Sequence, residues 1–150
     1  MAGLLFYNNC PSTSLSAATA TTVLGVSTPT NQRVKVLGYG LFFDGTLNSA
    51  QPIQAVLGAF TGGAAFASTA VVKVEPELTE TVQSKPYQWL TGQTEGTYTV
   101  YKTFTVHPQL GYEYLAPLGQ EDYVKGGTQW GIQLNAPATV NARGYAKFEE

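Results

Sequence analysis

Apolar and polar residues alternate along much of this chain. In TYTVYKTFTV (97–106), Tyr98, Val100, Phe104 and Val106 fall on one side, and Thr97, Thr99, Thr103 and Thr105 on the other. A period of two is the mark of a strand with one buried face. Residues 140–148 repeat it, with Val140, Ala142, Ala146 and Phe148 inward and Asn141, Arg143, Tyr145 and Lys147 outward. QWGIQL (129–134) buries Trp130, Ile132 and Leu134. Residues 20–26 (ATTVLGV), 52–60 (PIQAVLGAF) and 112–116 read as further strands. Residues 70–78 set Val72, Val74 and Leu78 against Lys73, Glu75 and Glu77, and Pro76 marks that strand as an edge. Residues 61–69 and 84–96 read as loops. Gly and Pro interrupt every long window, so no helical period survives. The pattern predicts an all-β chain of about eight strands, a jelly-roll or Greek-key β-sandwich.

Two segments depart from simple alternation. RVKVLGYGLFF (33–43) is apolar on both faces: Val34, Val36, Gly38, Gly40 and Phe42 point one way, Leu37, Tyr39, Leu41 and Phe43 the other. A sandwich strand normally has one wet face. The second covering would come from a neighbouring subunit, with Leu37, Tyr39 and Leu41 at the interface, or from the N-terminal segment folding over. Residues 1–32 carry no charged side chain; the first is Arg33. A solvated tail is usually charged and poor in apolar residues. This segment is read as an extended N-terminal arm, including the first short strand, ahead of a sandwich domain at 33–150. Its apolar tip, Leu4, Leu5, Phe6 and Tyr7, is the expected anchor on a neighbour. An arm of this kind predicts that residues 1–18 can be removed without unfolding the domain.

Composition narrows the function classes. Only 12% of the 150 residues are charged and the net charge is −2, about half the usual charged share. Lys35, Lys73, Lys85, Lys102, Lys125 and Lys147 are scattered singly, which argues against binding nucleic acid through its phosphates. With one cysteine, Cys10, and one histidine, His107, the chain can form neither an internal disulfide nor a site of several Cys or His ligands. The expectation is no metal and no cofactor. MAGLLFYNN lacks a basic leader region, and no apolar run approaches the ~20 residues of a membrane span. No secretory leader and no membrane partner are expected, and the chain suits a reducing cytoplasm.

LFFDGTL (41–47) raises the question of a phosphatase of the haloacid-dehalogenase type, whose loop reads DxDGT. The nucleophile position is occupied by Phe42, and the chain has only two aspartates, Asp44 and Asp122. Asp-Gly after an apolar run is instead a turn signal. His107, before Pro108, reads as a polar strand end. Glu113, Glu121 and Asp122 fall at strand ends and loops, where solvated charge is the default. Trp89 and Tyr87 share a polar loop and form a candidate ligand platform for stacking a sugar. KGGT (125–128) is a tight turn and lacks the context of a phosphate loop. No catalytic residue is assigned.

VKVLGYGLFFDGTLNSAQPIQAVL (34–57) and TFTVHPQLGYEYLAPLGQEDYVKGGTQWGIQLNAPATVNARGYAKFEE (103–150) resemble the capsid decoration, or cement, proteins of tailed bacteriophages. The shared features are the strand ending in FDGT, the HPQ strand end, PLG, the GG…WGI strand and a last strand APATVN…Y…FEE, in that order. The resemblance implies a jelly-roll domain, a homotrimer, and a seat on the outside of an icosahedral shell. It implies the phage major capsid protein as partner, no catalysis, and a place on the virion after synthesis in the bacterial host cytoplasm. Such a protein binds only the assembled lattice and so stabilises it by mass action, with multiple contacts reinforcing one another. The alternative is a β-sandwich carbohydrate- or receptor-binding module on a virion, using Tyr87 and Trp89; weak glycan binding is compatible with either.

Overall fold

The computed structural model describes residues 3–44, 51–61, 67–77, 79–88 and 96–150. The strands are β1 (Leu5–Leu15), β2 (Ala20–Ser27), β3 (Val34–Asp44), β4 (Ile53–Thr61), β5 (Ala67–Ser68), β6 (Val72–Lys73), β7 (Lys85–Gln88), β8 (Thr97–Val106), β9 (Tyr112–Leu115), β10 (Asp122–Val124), β11 (Gln129–Asn135) and β12 (Val140–Glu149). They form two antiparallel sheets packed as a β-sandwich. One runs β10-β3-β12-β1-β6, with β9 also paired to β3; the other runs β5-β7-β2-β11-β4-β8. Phe6, Leu15, Val36, Tyr39, Leu41, Ala146 and Phe148 from the first sheet meet Leu24, Val26, Leu57, Trp130, Ile132 and Leu134 from the second in one core.

Three strands keep an unbroken register and their neighbours do not. β12 is regular, and both flanking strands carry an extra residue against it. Gly38 opposes Lys147 and Val36 opposes Phe148, so Leu37 is the insertion in β3. In β1 the insertion lies between Cys10, opposite Gly144, and Thr13, opposite Ala142. In the second sheet β11 and β4 pair without a break. β2 gains Val23 against β11, and β8 gains Tyr101 against β4. Each insertion is a β-bulge, and one extra residue moves every later side chain to the opposite face. In β3 the inward residues are Val34 and Val36 before the bulge, then Tyr39 and Leu41 after it.

This corrects the expected covering of β3. The strand looked apolar on both faces because its phase changes at Leu37. Tyr39 and Leu41 are 1% and 0% exposed within this one chain, so neither offers surface to a subunit, and Leu37 is half-buried at the bulge. The same shift corrects β8: Val100, expected inward, is exposed before the bulge, while Phe104 and Val106 turn toward the core after it.

The N-terminal arm is also corrected. β1 lies inside the first sheet, between β12 and β6. Phe6 is fully buried and stacks on Phe148 at 5.2 Å, and Leu15 is fully buried further along. Leu4, Leu5 and Tyr7 are half-buried. Leu4 and Glu150 exchange two backbone hydrogen bonds of 2.9 Å. The Glu150 carboxylate accepts the amides of Gln83 and Ser84. Asn8, buried on the inner face, donates to the carbonyls of Gly25 and Tyr87 in the opposite sheet at 2.9 and 3.0 Å, and accepts from Thr69 at 2.6 Å. A buried amide so satisfied ties the sheets together. The missing charges reflect an inner strand with its own partners.

Other expected boundaries also moved. The 70–78 strand shrinks to β6, with Val71, Val72 and Val74 exposed; the 84–96 loop contains β7. Leu78 lies outside the described residues.

Removing residues 1–18 should therefore abolish cooperative unfolding instead of leaving a folded domain. Phe6→Ala alone should cost about 3–5 kcal/mol, read by denaturant titration. A truncated chain that melts like the full one would show that β1 is dispensable.

Candidate functional site

Period-two strands decide where each candidate side chain points. Asp44 closes β3 and pairs with Arg143 of β12, Oδ2 to Nε 2.6 Å, with both side chains largely exposed. It sits directly across the ladder from Asn141. Asp44 thus has a surface ion pair, and Phe42 beside it is an exposed ring.

His107 follows β8 and begins the turn into β9. Its carbonyl accepts the amides of Leu110 and Gly111 at 3.1 Å, and its Nδ1 accepts the Gln109 amide at 3.4 Å. Glu113, on β9, accepts the Tyr145 hydroxyl from β12 across the intervening strand β3. Glu121 accepts the Gly119 amide at 3.0 Å, which holds its carboxyl below the usual range. Lys35 pairs with Glu149 at 2.9 Å, and this partner raises the lysine's pKa. Each of these groups bridges strands or caps a turn. Among the described residues no cluster of three His, Cys, Asp or Glu could hold a metal ion. Cys10 is buried, which pushes its thiol pKa up; a hydrogen bond with Thr13 acts the other way.

The ligand platform is corrected at Tyr87. Its ring is 1% exposed, its hydroxyl donates to the Trp130 carbonyl at 2.9 Å, and it packs edge-on against Phe60 at 5.5 Å. Phe60 in turn stacks on Tyr98 at 5.2 Å. These rings occupy the outer face of the second sheet, over a row of three cross-strand neighbours, Gly25, Gly131 and Gly58. A Cβ on Gly25 would stand 2.2 Å from the Tyr87 ring, so the ring lies flat only because the glycine leaves room. Tyr87 belongs to a satellite core and presents no stacking surface. Trp89 lies outside the described residues.

An aromatic cluster closes the gap between the sheets beside β8 and β9. Tyr39 packs against Tyr114 at 5.3 Å, Tyr112 at 6.1 Å and Trp130 at 6.3 Å; Phe104 meets Tyr112 at 4.6 Å. Burial, then its tyrosine neighbours, drive the Tyr39 pKa well up. The Lys102 ammonium caps the cluster, 5.1 Å from the Tyr114 ring and 5.6 Å from Phe104. Lys102 is the only charge on β8, the terminal strand of its sheet among the described residues. A charged residue and a bulge are both devices that discourage edge-to-edge pairing.

Three leucines that sequence reasoning passed over are the most exposed large apolar residues described: Leu110 at 85%, Leu115 at 66% and Leu118 at 98%. All lie on the segment carrying the chain from β8 to β10. The signal was present in Pro117-Leu118-Gly119, a large apolar residue between two turn formers, where no strand phase can bury it.

Comparison with models of known protein families, with curated proteins and with solved structures returned no match.

Two outcomes follow from this geometry. The Tyr145 pKa is pushed up from 10.0 to about 12, first by its bond to Glu113 and then by burial. That bond contributes stability below pH 10 and loses it as pH rises through about 12. Tyr145→Phe should remove a step near pH 12 from a tyrosine absorbance titration; loss of a step near pH 10 instead would mean that the bond does not form in solution. Lys102→Thr should leave β8 uncharged and raise light scattering on standing. Scattering equal to the wild type would show that the lysine does not guard the edge.

Proposed function

We propose that this chain is a non-catalytic structural protein that attaches to the outer surface of an icosahedral phage capsid and stabilises the shell. The observation that carries the reading is the exposure of three large apolar side chains, Leu110, Leu115 and Leu118, along the segment between β8 and β10, outside the core. Exposed apolar groups of this size, gathered on one segment, mark surfaces that meet other proteins. The ordered motifs shared with decoration proteins point the same way. FDGT starts at the end of β3, HPQ follows β8, PLG forms the turn after β9, and the final pattern is β12 with its approach.

Attachment through these leucines takes the place of the arm contact expected from sequence, because Phe6 is used inside the chain. The chemistry needed is modest. A partner that recognises only the assembled lattice shifts the assembly equilibrium toward it by the free energy of binding. Copies seated on neighbouring shell proteins reinforce one another through high effective concentration.

The test is mass spectrometry and electron cryomicroscopy of purified particles of the phage whose genome encodes the chain. Sandwich-shaped density on the outside of the shell is expected, at a copy number that scales with the lattice. Particles that lack the chain, or hold it in the tail, would overturn the reading.

A further inference from the structure

β9 and β10 run along the same edge of β3. β9 pairs with Gly38–Leu41 and β10 with Val34–Val36. Residues 112–124 thus follow β3, leave the sheet opposite the bulged Leu37, and return. The departure is fixed where the Ala116 amide donates to the Leu37 carbonyl at 2.8 Å. The excursion then closes on itself: the Gln120 amide donates to the Pro117 carbonyl at 2.9 Å. Gly119 has φ +82°, the value required at the third position of a type II turn. The Glu121 carboxylate takes the Gly119 amide, locking the turn from below.

The product is a pre-formed finger whose tip is Leu118, 98% exposed. Its backbone is held by hydrogen bonds on both sides while its side chain supports nothing within the chain. An ordered apolar tip loses little conformational freedom on docking. The segment that carries it is acidic. Between Lys102 and Lys125 the chain carries Glu113, Glu121 and Asp122 and no Lys or Arg. Lys35, whose charge acts on Glu121, is already paired with Glu149.

We propose that Leu118 is the anchor of capsid attachment and seats in an apolar socket rimmed by Lys or Arg on the shell protein; this rests on the capsid reading above. Leu110 and Leu115 extend the apolar contact, and Asp122, exposed next to the turn, meets the basic rim. Complementary charge around an apolar anchor sets register and speeds encounter, and its contribution fades with salt.

The experiment is co-sedimentation of the full chain with purified heads that lack it, at low and high salt. The wild type, Leu118→Ser and Asp122→Asn are compared. Leu118 contributes nothing to the core, so Leu118→Ser should keep the wild-type melting curve while its affinity falls roughly tenfold or more. Asp122→Asn should bind more weakly at low salt and lose much of its salt dependence. A folded Leu118→Ser chain that binds like the wild type would overturn the anchor while leaving the capsid reading intact. Wild-type chain that does not sediment with heads would overturn the capsid reading, and the anchor with it. If Leu118→Ser instead lowers the native mass of the free protein without changing head binding, the socket is on a second copy, which also overturns the proposal.

Discussion

The sandwich depends on keeping the period-two side-chain phase aimed at one core while four strands carry an extra residue. β12 in one sheet and the β11–β4 pair in the other run without interruption and act as templates. β1, β3, β2 and β8 each bulge against them. A bulge bends the strand, sharpens its twist and flips every residue beyond it. Because the flips are built into the sequence, apolar residues stay inward on both sides: Phe6 and Leu15 in β1, Val36 and Tyr39 in β3. A one-residue slip in pairing would turn those same residues to water.

The bulges also place the surface features. Leu37 is extra in β3, and opposite it the edge chain leaves the sheet and makes the Leu118 finger before rejoining as β10. Tyr101 is extra in β8, and beyond it Lys102 turns toward the aromatic cluster, where its charge sits over Tyr114 and Phe104. Packing, edge protection and the exposed tip thus share one structural cause.

The few charged groups serve this framework. Arg143 with Asp44 and Lys35 with Glu149 join neighbouring strands at the surface. Exposed pairs contribute little individually, typically under about 1 kcal/mol. Glu150 holds the Gln83–Ser84 amides beside the paired chain ends. Most of the stabilisation must come from burial and from the two ladders, as expected of a chain with so little charge.

Local pattern determined much of this protein. The alternating runs at 97–106, 129–134 and 140–148 became β8, β11 and β12 with bounds within a residue or so, because strand formation there follows from period and β-branched or aromatic content. Reading His107 as a polar strand end needed only the neighbouring letters; the turn read at Asp44-Gly45 runs outside the described residues. Tertiary structure decided the rest. No local signal tells a bulged strand from one apolar on both faces, so Tyr39 and Leu41 could be placed in the core only once β12 supplied the register. An uncharged segment looks the same whether it lies on another molecule or pairs within its own sheet, and only the partner strand made residues 5–15 into β1. Tyr87 was likewise hidden by Gly25, Phe60 and Trp130 from three different strands, far apart in sequence. Side-chain phase is a property of pairing, and pairing joins residues that the linear chain keeps apart.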